Sequence, residues 1–450
     1  MTKRTFTWTE LSQLNTKDKA YVAVRGKVYD VTKFIDRHPG GRDVLLMAAG
    51  RDVTMVFETY HALTEKAPKV LEKYYVGELI SHELPTYPPP GVFFHTVRDR
   101  VKKYFKDNKK DPKDPGWLWV RLILYPLLYW ILWYAQLTWL SGSLLWSCVA
   151  ATVMGFCGAL LCLTNVHDAS HFAITRSPWV WKFVGIGVHN VMVGCSYSVW
   201  VLQHTFGHHP YTNVDGADPD IVTSEKFVIF ISYLFQLSLK TRLQDLTIMF
   251  NGTNGKMQMN ALPTSTHVLF YAGKLAYLTQ RLLIPLLVLP FMRVVILTII
   301  IEAVISYWLA LTFQISHVVS EVDWPQPDED NHVNEDWAEL QIKTSLDYAT
   351  DNWFWNTFTG ALNHQSTHHL FPGVSQVHYP QISPIVRKTC EEFNVRYNYL
   401  PTFTQALGAH LGHLKRLGQG KETRESFIQA ESRPKDKYNC MVFVIMQYPW

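Results

Sequence analysis

Apolar positions in this 450-residue chain are gathered into blocks rather than spread evenly. Trp117 to Leu140 is apolar apart from Arg121 near one end, and Leu144 to Thr164 is apolar throughout, so each is long enough to span a bilayer as a helix. Only Ser141-Gly142-Ser143 separates them, which predicts a helical hairpin. A second hairpin is predicted from Leu269 to Leu289, weakened by Lys274 and Arg281, and from Val294 to Ser316, strong despite Glu302, with its turn at Pro290-Phe291-Met292-Arg293. Trp117, Trp119, Trp139 and Trp146 sit near the ends of the first pair, as interfacial belts do. Between the hairpins, Trp179 to Trp200 is apolar but carries glycines, Lys182 and His189, and reads as an interfacial or half-buried helix; Phe227 to Leu239 is less hydrophobic.

The N-terminal stretch has a different texture. Thr7-Trp8-Thr9-Glu10 is a capping box opening a short helix. Ala20 to Val24 and Gly26 to Val31 read as two strands joined by a turn. These signals mark residues 5–83 as a compact α+β domain, followed by an extended proline-rich linker at 84–92. Lys102, Lys103, Lys106, Lys109 and Lys110 then precede the first apolar block, as a cytosolic flank would under the positive-inside rule. Residues 93–420 form the second domain. The stretch 421–450 is expected to be a disordered tail, and its apolar run Met441 to Met446 is too short to span.

Composition adds little to this segregation. A hydrophobic content of 48% is rich for a soluble chain, and a net charge of +4 is too small for this length to argue for a nucleic-acid partner. The six cysteines form no CxxC pair and mostly lie in apolar segments, as free thiols facing a reducing compartment would. No apolar run follows the first residues, so no secretory signal is expected.

Three histidine clusters carry the chemistry. They are His167-Asp168-Ala169-Ser170-His171, Gln203-His204-Thr205-Phe206-Gly207-His208-His209 and Gln365-Ser366-Thr367-His368-His369, with His317 at the end of the last apolar block. On a helix, residues four apart share a face, so His167 with His171 and His204 with His208 can each offer two imidazoles to one ion. Adjacent His208 and His209 diverge by about 100° and cannot readily grip the same ion, which argues for two metals. Imidazole alone does not name the metal. Four crossings with short outer turns would bring every cluster into one aqueous phase. The acidic turn Asp215 to Asp220 can be read as a plain loop or as carboxylates that orient imidazoles. His189 reads as structural, and the lone Glu329-x-x-His332 carries little weight because carboxylate-bridged bundles need two such motifs.

In the first domain, His38-Pro39-Gly40-Gly41 puts a histidine on a rigid loop, and His61 follows after a predicted helix. These residues, with Val28-Tyr29-Asp30-Val31-Thr32 before them, resemble the cytochrome b5 domain. The resemblance implies that His38 and His61 are axial ligands of haem b. Two histidines leave iron no open position, so such a haem carries electrons. A redox partner in turn argues for iron in the second domain, since zinc has no redox chemistry.

The whole chain from Thr5 to about Gly420 resembles the membrane fatty acid desaturases, and more narrowly the front-end desaturases with a fused cytochrome b5 domain, most of all fungal and oomycete delta-5 members. The marks are HDASH at 167, QHTFGHHPYTN at 203, FQISH at 313 and Gln365-x-x-His368-His369, with Gln opening the third box. The resemblance implies a haem domain joined to an all-α integral membrane domain with four transmembrane helices and a cytosolic di-iron cap. It implies two non-haem irons on His167, His171, His204, His208, His209, His317, His368 and His369, with Gln365 beside or among the ligands. It further implies O2 as co-substrate, NADH acting through a cytochrome b5 reductase, and a fatty acyl substrate linked to CoA or phospholipid. The location implied is the endoplasmic reticulum membrane, with both termini and the active site cytosolic. The expected product is a double bond at carbon 5 of a C20 chain, with carbon 6 of a C18 chain as the alternative. A hydroxylase uses the same boxes, and a non-catalytic membrane electron carrier is the reading from another class. His364 stands where Tyr is expected, as an extra ligand or a neighbour, and Phe313 stands where some acyl-CoA members have Asn.

Overall fold

Arg25 and Gly26 both have positive φ, 53° and 71°, which closes a two-residue turn whose twist suits a hairpin. It joins β3 (Lys19–Val24) to β4 (Lys27–Asp30) with Val22 opposite Tyr29. The computed structural model describes residues 4–222, 233–235, 240–254, 256–260 and 262–419. The expected tail, Cys440 and most of the Phe227–Leu239 stretch lie outside the described residues.

Around that hairpin a six-stranded sheet forms, with β1 (Thr5–Phe6) beside β6 (Tyr75–Leu79), then β4, β3 and β2 (Asn15–Thr16), while β5 (Arg51–Asp52) pairs with β3. The Thr7 capping box is present, Thr7 accepting from the Glu10 amide while Glu10 takes the Thr7 amide. One face of the sheet buries Phe6, Leu11, Ala23, Val28 and Leu79. The other side of the domain does not end in solvent: Val22, Val24 and Val53 share a core with Phe172, Trp181, Val201 and Phe206 of the helical body.

The linker is a strap rather than a free spacer. Thr86 bridges His332 as a strand pair, the Tyr87 hydroxyl donates to the Pro210 carbonyl at 2.8 Å, and Arg25 donates to the Pro88 carbonyl. Beyond it, the helix Val92–Asp107 buries Phe93, Phe94, Val97, Val101 and Phe105 and leaves its lysines outward, so the basic segment is the wet face of an amphipathic helix.

Among the described residues, three helices are long and apolar enough to cross a membrane: Leu118–Leu137, Leu144–Ser170 and Phe291–His317. The first is only 22% buried, and Ile123, Leu127 and Leu145 point outward, as lipid-facing side chains would. Glycines set the spacing inside. A Cβ on Gly155 would come within 2.7 Å of Val304, so the second and third helices approach closely only because that atom is missing. The expected crossing at Leu269–Leu289 is helical over 264–288 but is not among the three, since Lys274 and Arg281 interrupt its hydropathy. Both charges are satisfied internally. Lys274 meets Asp245 at 3.0 Å, while Glu302 accepts from Arg242 and Tyr277, each at 2.7 Å, with Arg281 3.5 Å away.

The expected single helix at Trp179–Trp200 is instead broken. Pro178–Val193 and Tyr197–His208 meet at 112°, and the pair would supply a fourth crossing only if it counts as one span. Gly194 makes the corner with φ 78°, where a Cβ would strike the Tyr277 ring, and Asp245 holds the amide of Ser196 as the next helix begins. Leu161–Val166, Gly185–Val193 and Val201–His208 are π-helical, a wide turn found mostly at functional sites.

Candidate functional site

Four chain segments converge on one buried pocket. His167 lies just past a π-helical turn, His204 and His208 lie inside another, His317 is the last residue of its helix, and His368 and His369 sit on the short helix Gln365–Leu370. Two sets of ring nitrogens gather there, each within 4.8 Å: His167, His171, His204 and His368, and separately His208, His317 and His369. His209 joins His368 and His369 in a third set that links the two. The divergence of His208 from His209 is thus realised.

His204 falls in the first set and His208 in the second. Both lie in a π-helical turn, which keeps residues four apart close to one face, as an α-helical turn does. Their rings stack with centroids 5.4 Å apart, so the pair also links the two sets. His204 and His208 also group with Asp220.

The second ring nitrogen of most of these histidines is tied down. Nδ1–H of His208 donates to Asp218 at 2.9 Å, that of His317 to the Thr344 carbonyl at 3.1 Å, and that of His369 to Gln341 at 2.8 Å. His368 uses the Tyr379 hydroxyl at 3.0 Å and His171 the Tyr60 hydroxyl at 2.5 Å. Each such bond fixes a tautomer and aims Nε2 at the pocket. Asp218 thereby realises the orienting reading of the acidic turn. Thr344, Gln341, Tyr379 and Tyr60 had no signal in the sequence, because none stands in a motif with the imidazole it holds.

These residues fit metal ions. Nε2 of His171 and His368, Nδ1 of His167 and His204, and both nitrogens of His209 are buried without hydrogen-bond partners, an arrangement that is costly for polar atoms unless something ligates them. Burial, reinforced by the neighbouring imidazoles, holds His171, His209, His368 and His369 well below the usual histidine value, so their lone pairs are available at neutral pH. The Gln365 amide lies 2.8 Å from Nε2 of His317 and 3.1 Å from that of His369, at the edge of the second set. His364 is a neighbour and belongs to no set; its ring meets Asn356 at 3.0 Å. His189 is buried near Trp200 and also stands apart, while His332 meets the Thr86 hydroxyl at 2.9 Å in the strap.

His38 and His61 face each other with ring centroids 6.3 Å apart. That gap suits one metal ion held at about 2 Å by a nitrogen on each side. His61 Nδ1 is bound to the Phe57 carbonyl at 2.8 Å and His38 Nδ1 to that of Gly41 at 3.3 Å, which leaves the opposite nitrogens for a ligand. Burial pushes His61 down to about 4, keeping it neutral. A Cβ on Gly40 would come within 2.7 Å of the His38 ring, so glycine is needed there.

Residues 143–401 match the family model "Fatty acid desaturase", and residues 7–80 match "Cytochrome b5-like Heme/Steroid binding domain". The chain belongs to the fatty acid desaturase family, in the form that carries a fused cytochrome b5 domain. It is 46% identical to the "Acyl-lipid (8-3)-desaturase" of Mortierella alpina, in a match covering 92% of this chain and 97% of that one. It is 36% identical both to the "Acyl-lipid (8-3)-desaturase B" of Dictyostelium discoideum (92% and 94% covered) and to that organism's "Delta(5) fatty acid desaturase A" (93% and 95%). The protein is therefore an oxidoreductase of the acyl-lipid desaturase kind, whose two domains imply haem and a di-iron centre.

Asp168 ties the first histidine cluster to the loop after the third. It accepts from the Gln376 side chain at 2.8 Å and from the Gln376 amide and the Ser375 hydroxyl at 3.2 Å, all buried. Asp168→Ala strands these donors and should lower stability by about 3 kcal/mol. Thermal unfolding in detergent checks this, and an unchanged midpoint would refute the tie.

Proposed function

We propose that this protein is a front-end desaturase that inserts a cis double bond at carbon 5 of a C20 polyunsaturated acyl chain already unsaturated at carbon 8. The observation that carries the reading is the pair of linked histidine sets, sharing His368 and His369 through His209, which suits two irons side by side. On this reading the ligands are His167, His171, His204, His208, His209, His317, His368 and His369, with Gln365 at the second iron, and His38 and His61 hold the haem. A bond at carbon 5 lies three carbons toward the carboxyl from carbon 8, which fits the "(8-3)" and "Delta(5)" in the names of the relatives.

Two irons in this pocket supply the reductive activation of O2 that removes a hydrogen from each of two adjacent methylenes. The chain's own residues do the rest. Asp218, Gln341, Tyr379 and Thr344 keep the imidazoles oriented. Trp200 stacks on His204 at 4.4 Å, and Phe313 lies 6.3 Å from both His167 and His204. These rings offer an apolar wall along which methylenes can lie with water excluded. Electrons come from NADH through a separate cytochrome b5 reductase and the fused domain. We divide the chain into a haem domain at 5–83, a linker at 84–92 and a desaturase domain from 93 to 420, in the endoplasmic reticulum membrane with four crossings.

Three measurements test this. His368→Ala should lose bound iron and all product, whereas His189→Ala should retain most of both; equal loss in the two would put His189 in the centre. Asn251-Gly252-Thr253 is the chain's one N-x-S/T sequence, and a cytosolic Asn251 should stay unglycosylated in a eukaryotic host. A glycan there would overturn the topology. Finally, cells lacking polyunsaturated lipids should be fed C20 and C18 polyunsaturated acids, and the new bonds located by mass spectrometry. Bonds at carbon 5 of the C20 chain are expected; carbon 6 of C18 would correct the position, a bond on the methyl side would remove the front-end assignment, and a hydroxylated product would replace desaturation with hydroxylation.

A further inference from the structure

Tyr60 is the residue immediately before His61, yet its hydroxyl lies 2.5 Å from Nδ1 of His171 in the other domain. Among the described residues, it is the one side chain of the N-terminal domain that hydrogen-bonds a histidine of the buried pocket. His171 Nδ1–H donates to the phenol oxygen, leaving the unpartnered Nε2 for a metal.

Both sides of this contact are held. The Tyr60 ring packs against Phe172 at 5.5 Å, and a Cβ on Gly373 would stand 3.3 Å from it. Phe172 has φ 57°, a region that bulky residues avoid, and it stays there with Lys113 donating to its carbonyl at 2.6 Å and Trp181 packed at 5.2 Å. That turn ends the helix at His171. The domain pairing is fixed independently: Asn260 donates to the carbonyls of Leu46 and Ala49, each at 2.7 Å, and Lys182 meets Asp43 at 2.5 Å.

We propose that Tyr60 couples the two redox centres, giving a path from His61 through one peptide link to the Tyr60 ring, then through one hydrogen bond to His171. The inference rests on the assignment of haem to His38 and His61 and of iron to the set containing His171. One electron moves per step: ferrous haem becomes ferric, and a ferric ion on the His171 set becomes ferrous. The phenol keeps its proton, and the reductase restores the haem. Bonded paths carry electronic coupling better than van der Waals gaps, and this one contains no gap between the two histidines. The domain need not leave its dock to deliver charge.

Tyr60→Phe keeps the ring and removes the hydrogen bond; Tyr60→Leu removes both. In each full-length variant, haem and iron per chain are counted, haem is reduced with NADH and cytochrome b5 reductase under anaerobic conditions, and its reoxidation is followed by stopped-flow absorbance on mixing with O2 and acyl substrate. Reoxidation should slow several-fold in Tyr60→Phe and further in Tyr60→Leu, with haem content, iron content and the rate of reduction by reductase unchanged. Wild-type reoxidation in both variants would overturn the path. Loss of iron in Tyr60→Phe would overturn it as well, reducing Tyr60 to a residue that merely orients His171. Absence of haem or iron from the wild type would instead remove the assignment beneath it, and the counts separate these outcomes.

Discussion

An imidazole can ligate a metal only while neutral and aimed, and water competes for both lone pair and proton, so a pocket of eight histidines must be dry. Dryness carries a cost, because a buried ring nitrogen that ligates nothing is unfavourable unless it finds a partner inside the protein. Much of the helical domain answers that demand. Asp218, Tyr379 and the helix end that holds both Gln341 and the Thr344 carbonyl come from three parts of the chain, and each of the four groups ends on one Nδ1.

The body that supports this pocket follows a similar rule in an apolar setting. Glu302 lies inside a strongly hydrophobic helix, where an unpaired carboxylate would be prohibitive. It is closed by Arg242, Arg281 and Tyr277, drawn from two other helices. Lys274 is closed in turn by Asp245, which also holds the corner where the helix pair bends through 112°. The charges that weaken the apolar blocks therefore fix the angle at which the second histidine cluster enters the pocket.

This explains what could be read from the chain and what could not. Periodicity and run length gave the long helices Leu118–Leu137, Leu144–Ser170 and Phe291–His317, because burial against lipid or core imposes a long one-sided demand. The histidines were legible because clustered imidazoles have few other uses. The bend at Gly194 was not, since it depends on Asp245 and Tyr277, fifty and more residues away. Tyr60 was equally silent: nothing local distinguishes it from a core tyrosine, and only the docking of two domains gives its hydroxyl a partner.

Docking also changes the meaning of the HPGG motif. Gly40 is needed because the His38 ring occupies the space of its Cβ, which is a requirement internal to the haem domain. Gly41, at φ 86°, answers to a different neighbour: a Cβ there would come within 3.0 Å of Pro178, the first residue of the bent helix pair. A side chain at Gly41 would strain the turn and push the haem domain off the surface that brings Tyr60 to His171. The two adjacent glycines thus answer two demands on one loop, the first set by the His38 ring and the second by the contact with Pro178.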